Sequence, residues 1–189
     1  MQGKNHAASS SHGDALAAGK FMLGILALFL LFSFLVSLLP LESVEMVYAA
    51  GTLAALGIFG LDGEVVAQEP ALLLLDAFAL PIGISYLCTG LLELTIIWAA
   101  MGASFGVDLR KRAIGIIAGT VALVAFNFAR IIGSILIIHW FGLDAGNFGH
   151  DVLFRVFLFI TIAGYYYCWF RWATGQKNGK KASKKAQKA

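Results

Sequence analysis

Residues Phe21 to Leu39 form a run without a single charge, closed by Pro40. A run of this length crosses the ~30 Å hydrocarbon core of a bilayer as a helix. Inside hydrocarbon every backbone polar group must be satisfied within the segment, so the run has to be helical. No small-x-small cleavage site follows closely, and the run reads as an uncleaved anchor. The rest of the chain has the same character. It is 59% hydrophobic and only 13% charged, with a mean hydropathy of +0.81. A soluble domain of 189 residues would carry far more polar surface.

Three further runs read as spans: Cys88 to Val107, Ala113 to Phe141, and His150 to Phe170. The positive-inside rule orients them. Lys4 and Lys20, the Arg110–Lys111–Arg112 loop, and Lys177, Lys180, Lys181, Lys184, Lys185 and Lys188 mark the cytoplasm. The outward pieces, 40–87 and 142–150, carry Glu42, Glu45, Asp62, Glu64, Glu69, Asp76 and Asp144 and no lysine or arginine. The expected organisation is a cytoplasmic tail over 1–20, a transmembrane domain over 21–172, and a basic disordered cytoplasmic tail over 173–189. Such a tail beside a span meets anionic lipid rather than nucleic acid.

The segment 43–87 must make zero or two crossings, and zero is preferred. Ser43 to Gly60 reads as an interfacial helix with Ser43 as N-cap. Extended pieces are expected around Gly63–Gln68 and Ile82–Tyr86. The fold class is therefore an all-α integral membrane bundle of about four spans, with an outer interfacial helix and a short extended segment before Cys88.

Three chemically active side chains come out at one depth. Helix rise places Arg130 ~27 Å from Arg112, Cys88 ~33 Å from Arg110, and His150 ~32 Å from Arg171. Against a hydrocarbon core of ~30 Å, all three reach the outer boundary. Helix rise fixes height and leaves lateral position open. An arginine so deep is a functional hypothesis by default, because its charge needs a partner or water. Asn127, Arg130 and Ser134 share one helical face. Glu93 is the available counter-charge. His139 reads as an interface anchor, and Arg155 as a second cation able to join the cluster. At a helix N-terminus, Cys88 would gain thiolate character from exposed N–H groups and from a nearby cation. The other cysteine, Cys168, lies at the opposite face among Tyr165, Tyr166, Tyr167 and Trp169. It reads as packing, and no disulfide is expected. No His/Cys cluster has metal-ligand spacing and no phosphate loop occurs, so neither metal nor cofactor is expected.

Cys88-Thr89-Gly90 at the head of a span, Asn127-Phe128-Ala129-Arg130 in the next, and His150 later resemble the exosortase/archaeosortase family of membrane cysteine transpeptidases. The resemblance covers roughly 45–170. Thr89 stands where the family more often has serine. The resemblance implies that Cys88 is the nucleophile, Arg130 the oxyanion stabiliser and His150 the general base or acid. Thr89, Gly90, Glu93 and Asn127 would then contact substrate. It further implies exported protein substrates carrying a C-terminal transmembrane sorting signal, a possible lipid acceptor, and an active site on the extracytoplasmic side of the plasma membrane. The rival class is a small transporter or channel that uses intramembrane Glu93 and Arg130. No inverted repeat or paired broken helix supports it.

Overall fold

A computed structural model describes residues 4–186. Residues 1–3 and 187–189, the outermost parts of the two expected tails, lie outside the described residues. The chain is mostly helical, with six α-helices among the described residues. α1 spans Lys4–Ser37 and α2 spans Leu41–Gly57. Three strands follow: β1 Gly63–Val66, β2 Ala71–Leu75 and β3 Ile82–Ile84. A 3₁₀ turn over Tyr86–Cys88 leads into α3 Leu91–Gly102 and α4 Leu109–Phe141. α5 Leu143–Phe148 continues through a π-helical turn, Gly149–Leu153, into α6 Phe154–Ala186.

Two helices are long and apolar enough to cross a membrane, over Ala18–Ser37 and Leu109–Phe141, and α3 is a shorter apolar helix. The exterior is correspondingly greasy. Leu23, Phe34, Ile117, Val121 and Phe159 all point outward. Soluble monomers rarely expose contiguous apolar surface on this scale, so the chain associates with a membrane.

The extended pieces expected near Gly63 and Ile82 are β1 and β3. They flank a strand that the sequence did not separate from its surroundings. Leu72 to Leu75 is a continuous apolar run, and such a run has no period that tells strand from helix. Its burial nevertheless alternates along β2, with Ala71, Leu73 and Leu75 turned inward. The sheet is antiparallel in the order β1-β2-β3, with Val65 opposite Leu73 and Leu73 opposite Ile82. A small sheet therefore accompanies the helices of the expected all-α bundle.

Three local expectations are corrected. Ser43 does not cap α2: the N-cap is Pro40, and the Ser43 N–H donates to the Pro40 carbonyl at 3.0 Å. Proline favours the start of a helix because its fixed φ suits the first turn. Cys168 is exposed rather than packed. The lysine-rich segment runs on as helix to Ala186, in place of the expected disordered tail. Alanine, lysine and glutamine are all good helix formers.

Two cores divide the molecule, and α4 belongs to both. Its second half, with Ile131, Ile135 and Leu136, packs under α2 and the sheet against Tyr48, Leu56, Leu73 and Ile84. Its first half, with Leu123, packs against α3 and α6 through Ile97, Met101 and Trp169. Small residues allow the close approach of α4 to α6: a side chain at Gly115 would strike Trp169, and one at Gly119 would strike Tyr165. Hydrogen bonds reinforce the contact. Tyr165 donates to the Gly115 carbonyl at 2.7 Å, and Trp169 Nε1 to the Lys111 carbonyl at 3.1 Å. Asn127 and Arg130 fall between Leu123 and Ile131, at the seam of the two cores.

Candidate active site

The polar face of α4 meets the turn that carries the cysteine. Arg130, only 6% exposed, donates from Nη2 to the Cys88 carbonyl oxygen at 2.9 Å. Its Nε is enclosed and makes no hydrogen bond. One turn earlier, Asn127 is fully buried against Gly90. Neither atom of its amide has a hydrogen-bond partner. One turn later, Ser134 Oγ donates back to the Arg130 carbonyl at 2.8 Å. The guanidinium's bond therefore goes to the cysteine backbone and not to Glu93, the counter-charge the sequence offered.

Gly90 makes this docking possible. It caps α3 with φ +76°, in the left-handed region that favours glycine. A Cβ there would overlap the Asn127 side chain. Cys88 thus ends a 3₁₀ turn just ahead of α3 and does not sit at the helix N-terminus. The Cys88 N–H donates to the Ser85 carbonyl at 2.8 Å, and the Ser85 hydroxyl lies 3.7 Å from the thiol sulfur.

The Cys88 thiol is held below the usual thiol range. The hydrogen bond with the His150 imidazole contributes most, burial opposes it, and the Ser85 hydroxyl and backbone add to the lowering. Helix rise alone gave these residues one height. The structure also gives them lateral contact.

A cavity of about 380 Å³ gathers the group, with Ser85, Cys88, Glu93, Arg130, His150 and Arg155 in its walls. Leu87, Leu92 and Leu158 supply its apolar side. Of the residues expected to contact substrate, only Glu93 reaches this cavity. Thr89 is fully buried and donates to the Tyr86 carbonyl at 2.6 Å, which tightens the turn. Gly90 and Asn127 are buried beneath the turn. These three therefore shape the backbone under Cys88. His139 stands apart, tilted against Phe78 with ring centroids 6.0 Å apart.

Two residues near the site were missed. Ser85 precedes Cys88 by three positions, and a serine three residues before a turn end is a recognisable local hydrogen-bonding pattern. Tyr48 stacks on Phe128 at 4.6 Å and feels the Arg130 charge. No local signal in the sequence announces that placement. Among the described residues no group of His, Cys, Asp and Glu could hold a metal.

Chemically, the arrangement offers a thiol with enhanced thiolate character, an imidazole in contact with it, and a fixed cation on its backbone. Comparison with known protein families, characterised proteins and solved structures gives no match for this chain.

Proposed function

We propose that the chain is a multi-pass membrane cysteine peptidase or transpeptidase of the exosortase/archaeosortase type. The observation that carries the reading is the meeting of the Cys88 thiol, the His150 imidazole and the Arg130 guanidinium at one cavity. In this reading α1, α4 and α6 are spans, α3 with the turns on either side of it makes the remaining crossing, and the cavity opens at the extracytoplasmic face of the plasma membrane. The short α3 starts below the turn that carries Cys88, so the thiol sits at the rim of the hydrocarbon layer.

The chemistry follows from the residues. The Cys88 thiolate attacks the scissile carbonyl carbon, and the C–S bond forms as the carbonyl π pair moves to oxygen. Arg130, anchored through the Cys88 carbonyl, presents positive charge to that oxyanion. His150, protonated by the thiol, returns the proton to the departing amide nitrogen as the C–N bond breaks. A thioester remains. Water or an acceptor amine then attacks the thioester carbonyl while His150 accepts its proton, and the thiolate leaves. The substrates are exported proteins with a C-terminal sorting signal whose own helix docks against the bundle, and the acceptor is another anchor such as a lipid.

The test is co-expression of the wild type or Cys88→Ala with membrane-anchored exported proteins bearing a C-terminal tag. Wild type should release the tag and Cys88→Ala should leave it attached. An authentic substrate processed equally by both would sink the thiol mechanism. If Arg130→Ala alone then abolished function, the transporter class would take its place.

A further inference from the structure

A second cavity, of about 310 Å³, adjoins the first. Leu87 and Leu92 line both, so the two spaces share a wall beside the Cys88 thiol. The far side is the end of α1, with Ser33, Val36 and Ser37, and Thr95 of α3 also contributes. Leu87 is 61% exposed and Leu92 52%, so neither is buried in the core.

Two of the hydroxyls around the space, those of Ser37 and Thr95, are bonded to their own helix backbone. Thr95 Oγ1 donates to the Leu92 carbonyl at 2.7 Å, and Ser37 Oγ to the Phe34 carbonyl at 2.7 Å. Ser33 Oγ is sealed from any accessible surface. The pocket therefore presents carbon, next to a site whose other walls carry charge. An apolar group seated here would lie beside the cavity that holds the nucleophile, and a polar one would lose its hydrogen bonds to water.

We infer that this cavity is a specificity subsite for a large apolar side chain of the protein substrate, next to the scissile carbonyl. The inference rests on the thiol reading above and deepens it. Its place beside the catalytic cavity, across Leu87 and Leu92, selects this occupant: a side chain held there belongs to a residue whose carbonyl lies in the neighbouring space. A pocket of this kind discriminates by size, and the lost methylenes of a small side chain weaken the transition state by about tenfold or more.

The probes are N-acetyl-leucine chloromethyl ketone and N-acetyl-alanine chloromethyl ketone, applied to the full chain in lipid vesicles. The thiolate displaces chloride: one C–S bond forms, one C–Cl bond breaks, and the side chain sits beside the carbonyl as in a substrate. Modification of Cys88 is followed by peptide mass. The leucine reagent should react at Cys88 about tenfold faster than the alanine reagent. Ser37→Phe, which fills the pocket from α1, should bring the two rates together. Val36→Phe repeats the test if Ser37→Phe fails to fold.

Equal rates in the wild type, or a preference that survives both variants, would overturn the subsite. A preference that emerges only after delipidation means that an acyl chain fills the pocket, and also overturns it. A Cys88 that neither reagent modifies, although it reacts in the denatured chain, would remove the thiol mechanism and the subsite with it.

Discussion

The junction of Gly90 and Asn127 supports a quantitative prediction. Gly90→Ala puts a methyl group on a residue with φ +76° and drives it into a fully buried side chain. The left-handed conformation costs a non-glycine residue roughly 1–2 kcal/mol. Overfilling a packed site adds about 1–3 kcal/mol. The variant should therefore lose about 2–5 kcal/mol. Asn127→Ala in the same chain opens room for the methyl and leaves the backbone conformation strained. The double variant should recover the overpacking share, a coupling of about 1–3 kcal/mol, and keep the rest of the loss. The assay is reversible unfolding in micelles followed by tryptophan fluorescence, with alkylation of Cys88 as a local readout. Gly90→Ala within about 0.5 kcal/mol of wild type would refute the reasoning. So would a double variant no better than the sum of the two single ones.

Three shorter predictions concern the site and its frame. Only the thiolate is alkylated, so the Cys88 rate is lost as pH falls through the thiol pKa. His150 is the largest influence that lowers this pKa, and His150→Ala should move the midpoint of the pH–rate profile upward; an unmoved midpoint would deny the contact. Arg130→Lys keeps the charge and shortens the fork, losing the bond to the Cys88 carbonyl. The expected loss is about 1.5–3 kcal/mol of stability, and an unchanged melting curve would argue against it. Glu45, 2% exposed, accepts the Ala71 N–H at 3.2 Å and ties α2 to the central strand. Glu45→Ala should destabilise by about 1–3 kcal/mol, and Glu45→Gln, which keeps an acceptor, by less; equal melting points for the two would disprove the role.

The sequence announced the elements that have a length or a period. The run at Phe21 becomes α1, the run through Arg130 becomes α4, and the glycine-flanked stretches at Gly63 and Ile82 become strands. Helix rise put Cys88, Arg130 and His150 at one height, and they do meet at one cavity, although the stretch from Cys88 to Arg110 is helical only over Leu91–Gly102 and falls short of the ~33 Å of a continuous helix. What resisted reading was lateral. Asn127 under Gly90, Thr89 turned inward and Arg130 bonded to a carbonyl depend on how α4 rotates against the turn, and that rotation is set by both cores at once. Glu45 was read as an outward acid because charge counting treats all carboxylates alike. A single carboxylate can instead satisfy a strand N–H that no other group reaches. Cys168 failed for a related reason: Trp169, next to it in sequence, turns into the core, and a one-residue step round a helix carries Cys168 off that face.

The π-helical turn at Gly149–Leu153 ties the site to chain length as well as to composition. A π turn holds one residue more than an α turn of the same span, and such bulges recur where function needs a displaced side chain. Deleting Val152 would let the segment relax into ordinary α-helix. The helices on either side would keep their register, and the side chains inside the turn, His150 among them, would shift round the helix axis. His150 would swing off the thiol, although Cys88, Arg130 and His150 were all still present. A one-letter gap, the mildest difference between two aligned sequences, would here separate an assembled site from a dismantled one.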